Sequence, residues 1–200
     1  MHPDEKKKDY YEKRIAKLAG KAINDYTMIR EKDRVLVAVS GGKDSLSLLH
    51  ILSIRKKWLP IDYNLQAIHV KMNSPCLSES NIQTIQNLCE ELKVKLHIRE
   101  AFVPETEKSK CFFCSWNRRK SFFRACEELD CNILALGHHK DDIIETLLLN
   151  LFYHGEISTM PPKLDFFKGA LTLVRPLSYI EEYQTKKYAK EMIRRMPEDA

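Results

Sequence analysis

The chain has 200 residues, of which 44% are hydrophobic, and this is enough for one compact domain that buries a core without disulfide support. It contains no stretch of about 18 apolar residues, and its charged first residues differ from a signal peptide, so we expect no membrane segment and a cytoplasmic location. Lys and Arg exceed Asp and Glu by 33 to 28, which gives a formal charge of +5 and mildly favours an anionic partner.

Helices and strands are predicted to alternate along the chain. Apolar residues recur every three or four positions between Tyr11 and Tyr26, which indicates an amphipathic first helix. The apolar run RVLVAVS that follows is typical of a strand buried on both faces. Strands are predicted at 34–40, 63–72, 95–103, 132–139 and 172–179, and further helices at 44–57, 79–92, 117–129, 142–152 and 181–195.

This alternation favours an α/β fold with a doubly wound, mainly parallel five-stranded sheet. We expect an N-terminal helix within residues 1–30 and a single compact unit over residues 31–200. The least regular segment is 154–169, where MPP forbids helix and indicates an ordered loop. Ligands in such sheets bind at the carboxyl ends of the strands, so motifs placed there are candidate site residues.

The hexamer SGGKDS at 40–45 lies between the first strand and its helix. Glycines let a backbone approach a phosphate, and the free N–H groups and dipole of a helix start attract an anion. The hexamer is not a Walker A loop, because the first glycine of that motif is replaced by Val37. Asp44 would repel a phosphate unless a cation such as Mg²⁺ bridges them, so a Mg²⁺-nucleotide is expected; the alternative is an ordinary strand-to-helix turn.

A second polar set, GHHKDDIIETLLLN at 137–150, follows the fourth strand. Asp142, Thr146 and Asn150 are four residues apart and share one helix face, which indicates a polar stripe directed at a ligand. The alternative interpretation is structural, with Asp142 and Glu145 forming a capping-box-like helix start.

Six cysteines occur, and a cytoplasmic chain makes structural disulfides unexpected. Cys111 and Cys114 form a CxxC before a basic segment whose cations favour the thiolate form, so the pair fits half of a zinc site, a redox dithiol or two cluster ligands. Cys76 follows the second strand and is either a further ligand or a loop residue. Three others are assigned to packing: Cys89, Cys126 and Cys131.

SGGKDS resembles the PP-loop signature of the ATP pyrophosphatases, a group that includes GMP and NAD synthetases. With the CxxC pair, GHHKDD, MPPK at 160–163 and RPLSYIEE at 175–182, the chain is similar in order and spacing to the tRNA 2-thiocytidine synthetase family over roughly residues 20–195. The resemblance implies a Rossmann-like PP-loop fold, with Asp44 placing Mg²⁺. It implies that ATP is held by Ser40, Gly41, Gly42, Lys43, Asp44, Ser45, His69, Lys71, Gly137, His138 and Asp142.

Members of that family thiolate a cytidine of the tRNA anticodon loop with ATP, Mg²⁺ and a [4Fe-4S] cluster held by three cysteines. Cys111 and Cys114 match two of them, which implies a catalytic role with Asp44, but no cysteine follows Cys131. Three explanations are open: the native chain extends past Ala200, Cys76 is the third ligand, or the pair works without a cluster as persulfide and disulfide.

The resemblance implies that ATP adenylates the C2 oxygen of cytidine and that sulfur then replaces this oxygen, releasing AMP. The implied partners are tRNA and a sulfur donor, either a cysteine desulfurase or sulfide, and a homodimer is left open. Basic residues at 118–120 and 186–195 either bind tRNA phosphates or form solvated faces. Two rival functions are a lysidine synthetase-like PP-loop ligase and a nucleotide-binding module with a zinc or redox CxxC.

Overall fold

A computed structural model of the protein describes residues 3–56, 61–72, 82–101 and 110–193. Its helices are α1 (Pro3–Asp25), α2 (Lys43–Lys56), α3 (Ile82–Leu92), α4 (Lys110–Glu128), α5 (Lys140–Leu149) and α6 (Glu182–Ile193). Its strands are β1 (Arg34–Ala38), β2 (Asn64–Met72), β3 (Lys95–Ala101), β4 (Ile133–Ala135), β5 (Lys163–Phe166) and β6 (Leu171–Val174). A π-helical turn, Asn150–His154, continues α5, and a short 3₁₀ turn, Phe167–Gly169, joins β5 to β6.

Within the described residues the strands form one six-stranded sheet in the order β3-β2-β1-β4-β6-β5. Five strands are parallel, and β5 pairs antiparallel with β6 at the edge. The mainly parallel α/β prediction is confirmed, but the count of five strands was wrong. The additional strand, β5, lies in the segment that we predicted as a loop. It has only four residues, and Pro161 and Pro162 lie just outside its ladder, where proline is tolerated.

The central strand β1 explains why both faces of the sheet are covered. Val35 and Val37 pack in a core with α1, α2, α3 and α6, whereas Leu36 and Ala38 pack on the opposite face against α4. This alternation is the two-residue period of a strand with apolar residues on both sides. The N-terminal helix α1 packs on α2 and α6 through Ile15 and its neighbours.

Two helices begin earlier than the sequence indicated. α4 starts at Lys110 rather than near residue 117, so the backbone of the CxxC pair is helical. α5 starts at Lys140 rather than at Asp142. None of the helices in the described ranges is long and apolar enough to cross a membrane.

Candidate active site

The two glycine-containing motifs meet at the centre of the sheet. β1 lies between β2 and β4, and the chain leaves β1 toward β2 on one side and later returns to β4 on the other. The carboxyl ends of β1 and β4 therefore flank a topological switch point, which is the usual ligand crevice of an open α/β sheet. Residues 40–45 follow β1, and residues 137–142 follow β4.

The glycine loop is shaped by its own serines. Gly41 has φ of 86°, a left-handed conformation that glycine adopts without steric cost. The Ser40 N–H donates to Ser45 Oγ at 3.1 Å, and Ser45 Oγ donates to the Gly42 carbonyl at 2.9 Å. These bonds hold the loop against the first turn of α2, whose terminal N–H groups and dipole attract anions.

Gly137 brings the second motif into direct contact with the first. A Cβ at this position would lie 3.0 Å from Ser45 N and 3.1 Å from both Ser45 Cα and the Asp44 carbonyl carbon. These neighbours are backbone atoms, which cannot swing aside as a flexible side chain can. A glycine is therefore favoured here, because any Cβ would force the chain after β4 away from the start of α2 by a few tenths of an ångström.

Lys43 and Asp44 form an ion pair with each other, and each also contacts a residue of α6. Lys43 Nζ lies 3.1 Å from Asp44 Oδ2 and 2.9 Å from Glu182 Oε1, and Thr185 Oγ1 donates to Asp44 Oδ1 at 2.5 Å. Burial lowers the pKa of Lys43, but its hydrogen bonds with Glu182 and Asp44 outweigh burial and raise the pKa above its ordinary value. The same bond lowers the pKa of Glu182. Lys43 is therefore a stable cation beside the loop.

His139 caps α5 and faces the loop. The Asp142 N–H donates to His139 Nδ1 at 3.3 Å, and the His139 N–H donates to Asp142 Oδ2 at 2.7 Å, which together form a capping box. Because Nδ1 accepts a hydrogen bond, the proton of the neutral ring lies on Nε2, 3.9 Å from Asp44 Oδ2. The capping box thus joins His139 and Asp142, and the pairing of Asp142 with Glu145 was wrong.

His138 is oriented by a buried arginine. Arg175 Nε donates to His138 Nδ1 at 3.2 Å, and Arg175 Nη1 donates to the Pro161 carbonyl at 2.5 Å. The MPP segment, the histidine pair and the residue after β6 are thereby joined. Burial, followed by the charge of Arg175, lowers the pKa of His138, while Asp142 opposes this effect. His138 is consequently neutral at physiological pH, with its proton on Nε2.

The two candidate residues on β2 differ in their surroundings. His69 is buried, and its Nδ1 donates to the Val39 carbonyl at 2.8 Å, which joins the ends of β1 and β2 near the glycine loop. Lys71 is exposed and lies opposite Glu100 of β3. His69 therefore holds the backbone that leads into the glycine loop. The nucleotide-binding role of Lys71 stays a prediction.

The cysteines fall into three groups. Cys111 and Cys114 lie three residues apart in the first turns of α4, where their backbone is helical. Burial is the main cause that lowers the pKa values of His138 and Arg175, and the charge of Arg119, further along α4, lowers both as well. This helix therefore approaches the histidine motif. Cys76 lies outside the described residues. The packing assignment of the other three is confirmed, because all are buried in the cores: Cys89, Cys126 and Cys131.

The predicted polar stripe on α5 makes local bonds. Thr146 Oγ1 donates to the Asp142 carbonyl at 2.7 Å, and Asn150 Nδ2 donates to the Ser158 carbonyl at 2.9 Å. Thr146 therefore bonds to its own helix, and Asn150 holds the chain that follows the π-helical turn. These bonds engage the Thr146 hydroxyl and the Asn150 amide N–H groups, and the role of the stripe in binding a ligand stays a prediction.

Three residues that contact the site were not selected as candidates from the sequence. Glu182, Thr185 and Arg175 reach the two motifs from the segment after β6. Arg175 and Glu182 are the first and last residues of RPLSYIEE, so that motif could have identified both as candidate site residues. Thr185 lies beyond the motif, and no residue pattern of α6 marks it.

Three comparisons place these features among known proteins. The ATP_bind_3 family model, described as a PP-loop domain, matches residues 9–200. A tRNA-cytidine(32) 2-sulfurtransferase of Alkalilimnicola ehrlichii is 41% identical over 189 residues, which cover 90% of this chain and 59% of that protein. The protein of the same name from Polynucleobacter asymbioticus is 39% identical over 189 residues, which cover 90% of this chain and 61% of that protein. The chain thus spans about three fifths of the length of these relatives.

Solved structures share the fold. The U34-tRNA thiolase NcsA from Methanococcus maripaludis, with its [4Fe-4S] cluster, matches with a TM-score of 0.78 at 23% identity, over 96% of this chain and 66% of that chain. The NH3-dependent NAD synthetase from Campylobacter jejuni matches with a TM-score of 0.55 at 16% identity, over 90% of this chain and 73% of that chain. At these identities the two likenesses establish the fold alone.

Proposed function

The chain belongs to the PP-loop domain family, and from this premise we propose that it is an ATP-dependent tRNA thiolase. In this proposal it adenylates the C2 oxygen of a cytidine and replaces that oxygen with sulfur. The observation that carries the proposal is the direct packing of Gly137 on Asp44 and Ser45, which unites an anion-binding loop with the histidine motif at the switch point. The names of the relatives at about 40% identity support tRNA cytidine as the substrate.

The loop at 40–45 suits the phosphates of ATP. The left-handed Gly41 and the start of α2 expose backbone N–H groups, and Lys43 adds a cation beside them. Gly137 keeps the backbone after β4 close to the same loop. These groups would stabilise negative charge on the departing pyrophosphate while a nucleophile attacks the α-phosphorus.

Asp44 fits a magnesium-bridging role. Among the described residues no group of three or more His, Cys, Asp or Glu side chains is arranged to hold a metal by itself. Mg²⁺ needs no such group, since it commonly takes one or two carboxylates, waters and substrate phosphates. Asp44 belongs to the loop at 40–45 and would supply one such carboxylate, so Mg²⁺ would enter with ATP.

Cys111 and Cys114 are the residues that would hold an iron–sulfur cluster, because a pair of cysteines separated by two residues is a common spacing of cluster ligands. When bound, the cluster supplies a site for transferring sulfur to the activated base. The third ligand is Cys76 or a residue supplied from elsewhere. The sulfur itself comes from sulfide or a cysteine desulfurase, and the reaction takes place in the cytoplasm.

The chemistry proceeds in two displacements. The C2 oxygen of cytidine bonds to the α-phosphorus of ATP as the bond to pyrophosphate breaks. Sulfide then forms a bond to C2, and the C2–O bond breaks to release AMP. In this proposal neutral His138, whose Nδ1 accepts from Arg175, would donate its Nε2 proton to an oxygen atom of the adenylate.

Product analysis tests this proposal. Anaerobic protein with tRNA, Mg²⁺, sulfide and ATP should form AMP and pyrophosphate only when tRNA is present. Formation of ADP and phosphate would contradict PP-loop chemistry. Turnover that needs lysine and no sulfur would identify a lysidine synthetase-like ligase, and ATP binding without turnover would identify a regulatory module.

A visible spectrum tests the cluster separately. Anaerobically purified protein should absorb broadly near 400 nm and contain iron and sulfide, as expected for a cluster on thiolates, and Cys111→Ala/Cys114→Ala should lose all three. Cys89→Ala/Cys126→Ala is the matched control, because these cysteines are buried in the core and should leave iron content unchanged. A colourless wild type after reconstitution would refute the cluster.

A further inference from the structure

Helix α6 touches the glycine loop with two side chains from successive turns. Thr185 is fully buried, and its Oγ1 lies 2.5 Å from Asp44 Oδ1 and 2.8 Å from the Glu182 carbonyl oxygen. The single hydroxyl proton goes to the carboxylate, which is the nearer acceptor and carries the charge. Glu182 Oε1 accepts from Lys43 Nζ at 2.9 Å. The two loop residues that carry charge are therefore each held by one residue of α6.

The Thr185 bond fixes the direction of the Asp44 carboxylate. A free carboxylate rotates about its last bond and presents either oxygen, but here Oδ1 is engaged by the hydroxyl. Oδ2 is consequently the oxygen turned toward Lys43 Nζ, at 3.1 Å, and His139 Nε2, at 3.9 Å. Oδ2 is therefore the oxygen that would bind a cation bridging Asp44 and a phosphate, in exchange for its contact with Lys43.

The Glu182 bond has a parallel effect on Lys43. An ammonium group has three N–H donors in a tetrahedral arrangement. Two of them are directed at Asp44 and Glu182, so the direction of the third is set. A lysine held in this way loses less side-chain entropy when it binds a phosphate oxygen.

We propose that Thr185 and Glu182 are positioning residues for magnesium and ATP: Thr185 orients Asp44, and Glu182 orients Lys43. The inference rests on the proposed function, because it assumes that the loop binds Mg²⁺-ATP. It assigns to α6 a role at the site beyond packing.

The attachment of α6 does not depend on these two contacts. Tyr188 OH lies 2.5 Å from His50 Nδ1 of α2, and both residues are buried. Tyr188 and Met192 also belong to the core shared with α1 and α2. Because the helix is held by this packing, variants of Thr185 and Glu182 can separate positioning from folding.

Equilibrium dialysis with ATP at increasing Mg²⁺ tests the Thr185 contact without requiring catalysis. Thr185→Val keeps the side-chain shape but removes the hydroxyl. It should raise the Mg²⁺ concentration for half-maximal ATP binding by about tenfold, the lower end of the effect of losing an outer partner of a metal ligand. Thr185→Ser keeps the hydroxyl and should restore the wild-type requirement. Equal Mg²⁺ requirements for the wild type and Thr185→Val would overturn the Thr185 role.

ATP affinity at saturating Mg²⁺ tests the Glu182 contact. Glu182→Ala should weaken ATP binding, while Glu182→Gln retains an acceptor oxygen for Lys43 and should recover most of the affinity. Glu181→Ala is the matched control, because Glu181 pairs with Lys140 rather than with the loop. Tighter ATP binding by Glu182→Ala would overturn the Glu182 role, since it would show that Glu182 competes with phosphate for Lys43.

The two levels of the proposal fail differently. If the wild type does not bind ATP at any Mg²⁺ concentration, the proposed function and this inference both fail. If the wild type binds Mg²⁺-ATP and Thr185→Val and Glu182→Ala bind it identically, only the inference fails. Glu182 is exposed, so its variants still decide the Glu182 role if Thr185→Val does not fold. Thr185→Ala, which removes the hydroxyl and leaves a smaller side chain, then takes the place of Thr185→Val in the Mg²⁺ titration.

Discussion

Replacing Gly137 with alanine should both destabilise the protein and damage the glycine loop. The new Cβ would meet Ser45 N at 3.0 Å and the Asp44 carbonyl carbon at 3.1 Å. Overpacking of this kind costs about 1–3 kcal/mol. Replacing a glycine also lowers the entropy of the unfolded chain, which stabilises the protein by about 0.4–1 kcal/mol. The net loss in the free energy of unfolding should therefore be about 1.3 kcal/mol, the difference between the midpoints of the two ranges.

Gly42→Ala is the matched stability control. Its Cβ would meet only Ser40 Oγ at 3.4 Å, an ordinary contact, and Gly42 does not have a positive φ. This variant should be as stable as the wild type or more stable by up to about 1 kcal/mol. The two glycines are thus expected to differ although both belong to loops at the same site.

Urea unfolding of the wild type and both variants measures this difference, with the midpoint changing and the slope constant. Gly137→Ala should also bind ATP about tenfold more weakly, because even small displacements of positioning atoms are costly. Equal stability of the two variants would show that the chain after β4 does not pack closely on α2. The proposed union of the two motifs would then be refuted.

Three further predictions concern buried polar groups. Arg175→Ala should lower the free energy of unfolding in urea by about 1–3 kcal/mol, because the Pro161 carbonyl loses its side-chain donor; no change would show that water replaces the guanidinium. The pKa of His138 is lowered on folding, so the stability that it contributes is present above pH 6.5, its ordinary pKa, and is lost as pH falls through the folded pKa. His138→Gln should therefore flatten the acid side of the stability profile, and an unchanged profile would contradict this. Burial raises the pKa of Cys126 to about 12 and that of Cys89 to about 11. Iodoacetamide at about pH 8 should therefore leave both thiols unmodified in the native protein, which peptide mass spectrometry measures. Rapid modification of the native protein would contradict the burial of these thiols.

The parts of the fold that follow local patterns were predictable from the sequence. The apolar run from Val35 to Val39 predicts a strand buried on both faces, and alternating elements predict the parallel sheet. The edge strand β5 was not predictable in this way, because it is short, half-exposed and preceded by two prolines. Its pairing with β6 depends on a tight turn in which Phe167 and Lys168 adopt positive φ, which neither residue type indicates.

The site was predictable only where its residues adjoin in the sequence. The loop at 40–45 and Gly137 stand out by composition, and the structure packs them together. The capping box was misassigned because His139, an unusual cap, replaces the Ser, Thr, Asp or Asn that sequence rules expect. Thr185 could not be found, since its contact with Asp44 spans 141 positions and depends on how α6 packs.

Nucleoside analysis of treated tRNA shows whether the protein thiolates a cytidine with ATP. Protein purified without oxygen is incubated with tRNA, ATP, Mg²⁺ and sulfide, and the digested nucleosides are separated and weighed by mass spectrometry, with Asp44→Asn as the variant that should lose activity. We expect a cytidine in which sulfur replaces one oxygen, formed only with ATP and the wild-type protein. An unmodified nucleoside pool despite AMP and pyrophosphate formation, or thiolation that does not need ATP, would contradict it.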